Sequence, residues 1–394
     1  MEKFLIEEIS EGLTLLRTND RDVKSFEGVW EIPEGVTYNS YLLKSGGKTF
    51  LFDGWKIGLE GEFLKAVKKV SSPEDIDYVI IHHTEPDHSG TLPALLDANG
   101  YKAQVVGHRM AGRLMNSFYG VGDRMKFRAV DDGEKIEGLR FIHAPWLHWP
   151  DTIFTHIEEK NILLTGDAFG GFSIPTGVFN DSPGNYLPFV RKYIIDVVGH
   201  YKEHITKNAE KLGSLGIKPA IIAPAHGLIW RDPEAIVNFY LRTAAGEPKK
   251  GKVTVFYDSM YGFVEGAVGI AVRKLKERGC DVKEFSFTDK SYSRVGDLLG
   301  EISDSEAIII GASTYEAGLF PYSRFVIELM AKKANFRKPV LLLTSCGWGN
   351  AARMGIEAIL EKTDLRIVDT VEFRGAADEE TEKKISCGLK KLLG

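Results

Sequence analysis

The sequence predicts a two-domain α/β protein, in which a mixed α/β sandwich is followed by a doubly wound parallel sheet of flavodoxin size. Three observations lead there. The chain has 394 residues, 43% hydrophobic and 27% charged, which is a globular composition with room for two or three domains. The segment Arg242 to Lys252 (RTAAGEPKKGK) has no apolar period, carries Gly246, Pro248 and Gly251, and reads as a linker. The hydrophobic pattern changes style across it.

Before the linker, short β runs alternate with turns: Tyr38–Leu43, Lys48–Phe52, Tyr78–Ile81, Gln104–Val106, Leu139–Ile142, Thr152–Ile157 and Asn161–Leu164. Helical patterns fall between them at Glu60–Val70 and Arg109–Phe118, and a longer one runs over Pro188–Leu212. After the linker, strand and helix alternate regularly. Strands are expected at Val253–Tyr257, Asp281–Phe287, Ala307–Gly311, Val340–Thr344 and Arg366–Phe373, and helices at Glu265–Arg278, Tyr322–Lys333, Ala351–Lys362 and Glu379–Leu393. Apolar runs such as Val340–Leu343 mark strands buried on both faces, as in a parallel sheet. The domains are therefore set at 1–248 and 252–394.

Several function classes are excluded early. The net charge of −5, from 50 basic and 55 acidic residues, provides no global basic field for nucleic acid. No apolar run of about 18 residues suggests a membrane span. The acidic start Met1-Glu2-Lys3-Phe4-Leu5-Ile6-Glu7-Glu8 lacks a signal-peptide layout. Cys280, Cys346 and Cys387 stand far apart with no CxxC, so neither a disulfide framework nor a zinc ribbon nor an iron–sulfur knuckle is expected, and the reducing cytoplasm is the expected compartment.

The chemistry concentrates after Tyr78–Ile81. His82-His83-Thr84-Glu85-Pro86-Asp87-His88 places four metal-ligand types, His83, Glu85, Asp87 and His88, within six residues at a strand end. Taken singly, each reads as a polar loop or capping residue; together they read as a metal site. His83 and Glu85, two apart, point the same way in extended chain. Asp87 and His88 then point elsewhere, which suits a second metal. Three further ligand types follow apolar strands: His148, Asp167 and His226. Of the other histidines, His82 is expected to pack or bond backbone, and His143 to lie behind His148. His108, His156, His200 and His204 read as structural or solvated.

The pattern His83-x-Glu85-x-Asp87-His88, with His148, Asp167 and His226, resembles the metallo-β-lactamase-like core of the flavodiiron proteins, and the resemblance covers nearly the whole chain. It implies a metallo-β-lactamase-like αββα sandwich followed by a flavodoxin-like doubly wound parallel sheet. It further implies that His83, Glu85 and His148 hold one iron, that Asp87, His88 and His226 hold the other, and that Asp167 bridges them. Zinc hydrolases of the same fold carry HxHxDH; here Glu85 replaces the second histidine. A carboxylate adds negative charge and a hard oxygen, favouring iron or manganese over zinc.

Three loops after the linker lie at the carboxyl ends of parallel strands, where open α/β sheets bind ligands. They are Ser259-Met260-Tyr261-Gly262-Phe263-Val264, Ser313-Thr314-Tyr315-Glu316-Ala317-Gly318 and Ser345-Cys346-Gly347-Trp348-Gly349-Asn350. The first precedes a helix whose backbone N–H groups suit a phosphate, and Tyr315 and Trp348 offer rings for stacking. Each alone reads as a tight strand–helix turn, and Cys346 as a small packing residue. Together they resemble the FMN-binding loops of the flavodiiron proteins, with Phe263-Val264 where that family commonly has hydroxyl residues.

The resemblance implies an oxidoreductase that reduces dioxygen to water, nitric oxide to nitrous oxide, or both, with two non-haem irons and FMN. It implies a head-to-tail homodimer, or a dimer of dimers, in which the FMN of one subunit serves the iron pair of the other. With no fused CxxC module, electrons are expected from a separate rubredoxin-like protein, or from a reduced coenzyme through a reductase. Two alternatives stay open at this point. One is a zinc hydrolase of the same fold fused to a flavodoxin module, against which Glu85 argues. The other is an electron carrier with a structural metal module.

Overall fold

The metal ligands are set by the ends of two facing sheets. The computed structural model describes residues 4–181 and 186–394; Met1–Lys3 of the acidic N-terminal segment lie outside the described residues. One sheet runs in sequence order: β1 (Phe4–Ser10), β2 (Leu13–Asp20), β3 (Val36–Ser45), β4 (Lys48–Phe52), β5 (Tyr78–Ile81), β6 (Gln104–Gly107) and β7 (Lys126–Ala129). Its first four strands pair antiparallel, and β4 to β7 pair parallel. The second sheet contains β8 (Lys135–Ile136), β9 (Leu139–His143), β10 (Ile153–Ile157), β11 (Ile162–Leu164) and β12 (Ile221–Ala223), with β11 and β12 parallel. Alternate residues of the two sheets form one core, in which Leu13, Leu15, Phe50, Phe52 and Ile80 meet Leu139, Phe141, Ile153 and Leu164.

The second unit is the expected doubly wound sheet. It holds β13 (Lys249–Ser259), β14 (Asp281–Thr288), β15 (Ser305–Tyr315), β16 (Pro339–Ser345) and β17 (Arg366–Phe373), all parallel in the spatial order β14-β13-β15-β16-β17. That is the flavodoxin order, with the ligand end at the β13/β15 switch point. Val255, Ile309, Leu341 and Leu343 are fully buried under helices at Phe263–Glu277 and Glu379–Leu393. This unit spans Leu241–Gly394 and also takes in Val29–Glu31 and Ile194–His200.

Two expectations need correction. The linker at Arg242–Lys252 is mostly ordered: a helix, Pro233–Ala245, runs into it and β13 begins at Lys249. One lysine of this segment is buried and paired. Lys252 is 3% exposed in its side chain and lies 2.6 Å from Glu301 Oε2, with Asp304 beside it. The Lys249 N–H donates to the Asp304 carbonyl at 2.8 Å. The second correction concerns Pro188–Leu212, which is not one helix. It breaks into an α segment (Leu187–Tyr193), a π turn (Ile194–Val198), a 3-10 turn (Gly199–Tyr201) and a second helix (Glu203–Ser214). Four buried β-branched residues, Ile194, Ile195, Val197 and Val198, crowd the helical backbone. A Cβ on Gly199 would lie 2.5 Å from the Lys333 carbonyl.

Lys252→Met should destabilise the second unit by about 2 kcal/mol, because two half-buried carboxylates lose their cation. Urea denaturation followed by circular dichroism measures it.

Candidate metal centre and flavin end

Each ligand type sits just beyond a strand end at one rim of the sandwich. His83 follows β5, His148 follows β9, Asp167 follows β11 and His226 follows β12. Asp87 and His88, expected in a loop, lie on a single helical turn, Pro86–Ser89. The strip Asp53–Ile57 pins that turn down: Gly54 N–H donates to the His88 carbonyl at 2.6 Å and Ile57 N–H to the Pro86 carbonyl at 3.0 Å. The approach leaves no room for a side chain at Gly90, where a Cβ would lie 2.2 Å from the Ile57 nitrogen.

The structure brings all seven residues together. Asp167 is fully buried and its two oxygens face different groups. Oδ2 is 3.0 Å from His148 Nε2 and 3.8 Å from His83 Nε2. Oδ1 is 2.7 Å from His88 Nε2 and 3.3 Å from His226 Nε2. Glu85 Oε2 lies 2.9 Å from His148 Nε2 and 3.6 Å from His83 Nε2, while Asp87 approaches His88 and His226 at 3.3 and 3.4 Å. Yet Nε2 of all four histidines, both oxygens of Asp87 and Asp167, and Oε2 of Glu85 are buried without a properly aligned hydrogen bond. Buried polar atoms are otherwise almost always satisfied. Donor atoms that converge on shared points, within 4.8 Å of one another, fit cations between them.

The electrostatics agree. Burial alone would raise the Asp167 pKa, but His88, His83 and His226 hold it well below the usual carboxylate range. Burial alone would lower His83 and His226, but Asp167 with Glu85 lifts His83 to about 9, and Asp167 with Asp87 lifts His226 to about 10. Without metal, these imidazoles therefore keep protons at neutral pH.

Supporting groups that sequence reasoning missed fix the ligands from behind. His226 Nδ1–H donates to the Thr37 carbonyl at 2.6 Å, leaving Nε2 for a metal. Gly227 N–H donates to Thr37 Oγ1 at 2.7 Å, and the Asn39 amide and Tyr41 hydroxyl donate to the Pro224 carbonyl. The period-two series Thr37, Asn39, Tyr41 on the buried stretch of that strand was the available signal. Asp151 accepts from both the N–H and the hydroxyl of Thr84, at 3.0 and 2.8 Å, between His83 and Glu85.

His82 packs against Phe52 as expected, and it also makes side-chain bonds. Its ring bonds two side chains, Asp53 at 2.5 Å and Thr155 at 3.0 Å, so it ties β4 to β10. His143 bonds the Val130 carbonyl at 2.9 Å and lies against His108. A cavity of about 280 Å³, lined by Phe26, Tyr38, Lys56, Ile57, Glu85 and Asp87, reaches the carboxylates from outside.

In the second unit, the three loops cluster at the carboxyl ends of β13, β15 and β16. Ser259 Oγ accepts from the N–H groups of Gly262 and Glu265 at the start of the Phe263–Glu277 helix. Asp258, fully buried, accepts from Ser313 N–H at 2.9 Å and Ser323 Oγ–H at 2.6 Å, joining the first loop to the second. Thr314 joins the second to the third through the Gly349 carbonyl and the Ala352 N–H, at 3.4 and 3.3 Å. Trp348 and Tyr261 are 88% and 83% exposed, broad rings free to stack on a planar ligand. Phe263 is exposed and Val264 buried, and neither has a hydroxyl to offer a phosphate.

A two-sheet sandwich that gathers four histidines and three carboxylates, joined to a flavodoxin sheet, defines a class of two-cofactor redox proteins. The comparisons agree. Residues 36–227 match the ODP family beta lactamase model and residues 255–387 the flavodoxin model. The chain is 32% identical to a rubredoxin-oxygen oxidoreductase of Megalodesulfovibrio gigas, over 80% of this chain and 79% of that protein. It is 29% identical to a nitric oxide reductase of Moorella thermoacetica, over 91% and 90%. A mutant flavo di-iron protein from Thermotoga maritima superposes with a TM-score of 0.92 at 41% identity, covering 100% of both chains. The chain belongs to the flavodiiron proteins.

Raised imidazole pKa values set a pH dependence. A metal must displace these protons, so its affinity should increase between about pH 6 and pH 8 with measurable proton release. In the metal-free protein the same contacts stabilise the fold fully below the ordinary imidazole value of 6.5, and that contribution is lost as pH rises through about 9 to 10. Chelator competition tests the first effect and thermal melts of apoprotein the second.

Proposed function

We propose that this chain is a flavodiiron oxidoreductase that reduces dioxygen to water, nitric oxide to nitrous oxide, or both. The observation that carries the reading is Asp167, whose two oxygens face two separate groups of ligands. In this reading His83, Glu85 and His148 hold one iron, Asp87, His88 and His226 the other, and Asp167 bridges. Glu85 in a position where zinc hydrolases place histidine favours iron. When bound, the irons supply Lewis acidity and electrons, and FMN relays electrons that arrive from elsewhere.

The chain's own residues define the rest. The seven ligands take cations only after losing their protons. Thr37 holds the His226 ring in one tautomer, and Asp151 holds Thr84 and with it the spacing of His83 and Glu85. The cavity beside Tyr38 and Phe26 gives a small substrate a way to the carboxylates. FMN is assigned to Ser259, Met260, Tyr261, Gly262, Phe263 and Val264, to Ser313, Thr314, Tyr315 and Gly318, and to Ser345, Cys346, Gly347, Trp348, Gly349 and Asn350. Backbone N–H groups and Ser259 are the phosphate donors in this assignment, and Trp348 lies against the flavin.

Dioxygen reduction consumes four electrons and four protons; coupling two nitric oxide molecules consumes two of each. A separate rubredoxin-like protein, or a reduced coenzyme acting through a reductase, is the proposed donor. The domain limits are placed at residues 1–248 and 252–394. No helix among the described residues is long and apolar enough to cross a membrane, and all three cysteines are free, which supports a cytoplasmic setting.

Stopped-flow reoxidation of the anaerobically reduced protein by each gas is the direct test. Asp167→Ala should lose or mismatch the iron pair and lose gas reduction by at least about a hundredfold, checked by metal analysis. A variant with full iron and full turnover would remove Asp167 from the bridge.

The proposed assembly is a head-to-tail homodimer, or a dimer of such dimers, with electrons crossing from the FMN of one subunit to the irons of the other. A two-fold interface would build two such couples with one surface. Trp348→Ala should lose FMN, and mixing it with Asp167→Ala under subunit exchange should restore turnover that neither parent has. Confirmed exchange with parental activity would reject transfer between subunits.

A further inference from the structure

Behind the turn that carries His226 lies a full positive charge whose hydrogen-bond partners, among the described residues, are all neutral. Arg17, on β2, is 2% exposed. Its Nε–H donates to Asn39 Oδ1 at 2.9 Å, directly across the strand pair. One Nη donates to the Gly177 carbonyl at 3.0 Å and the other to the Gly227 carbonyl at 2.6 Å. Burial pushes its pKa down, and Tyr41, Tyr186 and Glu7 offset this only in part, but a guanidinium stays protonated in a protein.

An interior cation without an adjacent anion is expensive. The fully or nearly buried carboxylates of this unit are Asp53, Asp87, Asp151 and Asp167. Asp53 is engaged by His82, and Asp151 by Thr84. Glu7 is the carboxylate whose charge acts on Arg17, while Asp87 and Asp167 both face His226. The guanidinium is one peptide unit from His226, in contact with the carbonyl that follows it. Three carboxylates and an electron-rich donor set favour the oxidised metal. A positive charge fixed behind one group of ligands acts in the opposite direction, and the weakly screening interior extends its reach.

We propose that Arg17 is a positioning residue for the redox chemistry: its charge, held against the Gly227 carbonyl, raises the reduction potential of the metal on the Asp87–His88–His226 side and favours the fully reduced pair. The inference rests on the diiron reading above. It also distinguishes the two metal positions, since the guanidinium bonds the chain beside His226.

The test is a redox titration of the purified holoenzyme, following the mixed-valence signal by electron paramagnetic resonance and counting iron by metal analysis. Wild type, Arg17→Lys, Arg17→Gln and Arg17→Met are compared. Gln keeps hydrogen bonding without charge, Met keeps bulk alone, and Lys keeps the charge. The expected result is an iron pair in all four proteins, potentials shifted negative in Gln and Met, and wild-type potentials in Lys. Gln with wild-type potentials, or Lys shifted as far as Gln, would overturn the proposal. So would soluble, iron-loaded Lys beside insoluble or iron-free Gln and Met, because the charge would then serve folding alone. If wild type carries no redox-active iron pair, the diiron reading itself has failed, and that is seen before any variant is made.

Discussion

The structure depends on placing three carboxylates and four imidazoles in one dry pocket. Like charges this close repel, and buried polar atoms left unpaired are costly. Asp167 lies 2.7 Å from His88 Nε2 and 3.0 Å from His148 Nε2, so opposite partial charges meet there. Cations remove the cost, and Asp167 can answer two of them because its oxygens diverge. The surrounding architecture follows from this demand. Strand ends deliver the ligands, Asp53–Ile57 straps the helical turn, and β3 clamps the His226 turn. Each device fixes a donor atom before any metal arrives, which is what a site needs if binding is not to be spent on ordering loops.

Much of this was legible in the sequence because it is local. Four ligands within six residues announce a site, and the apolar run Val340–Leu343 announces a parallel strand. The other three ligands were legible as single polar residues after apolar strands. What stayed hidden was partnership across long separations. The side-chain partners of His82 were hidden because Asp53 is 29 residues away and Thr155 73. Lys252 read as linker because its carboxylates lie far along the chain, Asp304 being 52 residues on. Composition and period describe a residue's neighbours in the chain, and these residues are explained by neighbours in space. The single turn at Pro86–Ser89 was missed for another reason: proline at its start and glycine at its end look like a loop and are also the punctuation of a very short helix.

The second unit distributes its chemistry differently. Its loops carry few charges, and the buried Asp258 has hydroxyl and amide partners in place of a cation, so its pKa is raised to about 6, by burial above all. The metal unit secures its site with ionic groups, while the flavin end relies on backbone N–H groups, small residues and exposed aromatic rings. That contrast suits a ligand that brings its own charge in a phosphate and presents a large flat surface.

The Thr37–His226 hydrogen bond spans 189 residues of chain, and this gives the site a place in time. Loop closure grows only slowly in cost with length, so the separation is affordable in equilibrium terms, but it makes the contact a late event in folding. The segment His83–His88 can form its own turn early, whereas the His226 side waits until β12 has docked beside β11 and reached β3. All seven ligands lie before β13 in the chain, so the residues that hold the metals are synthesised before the flavin half begins.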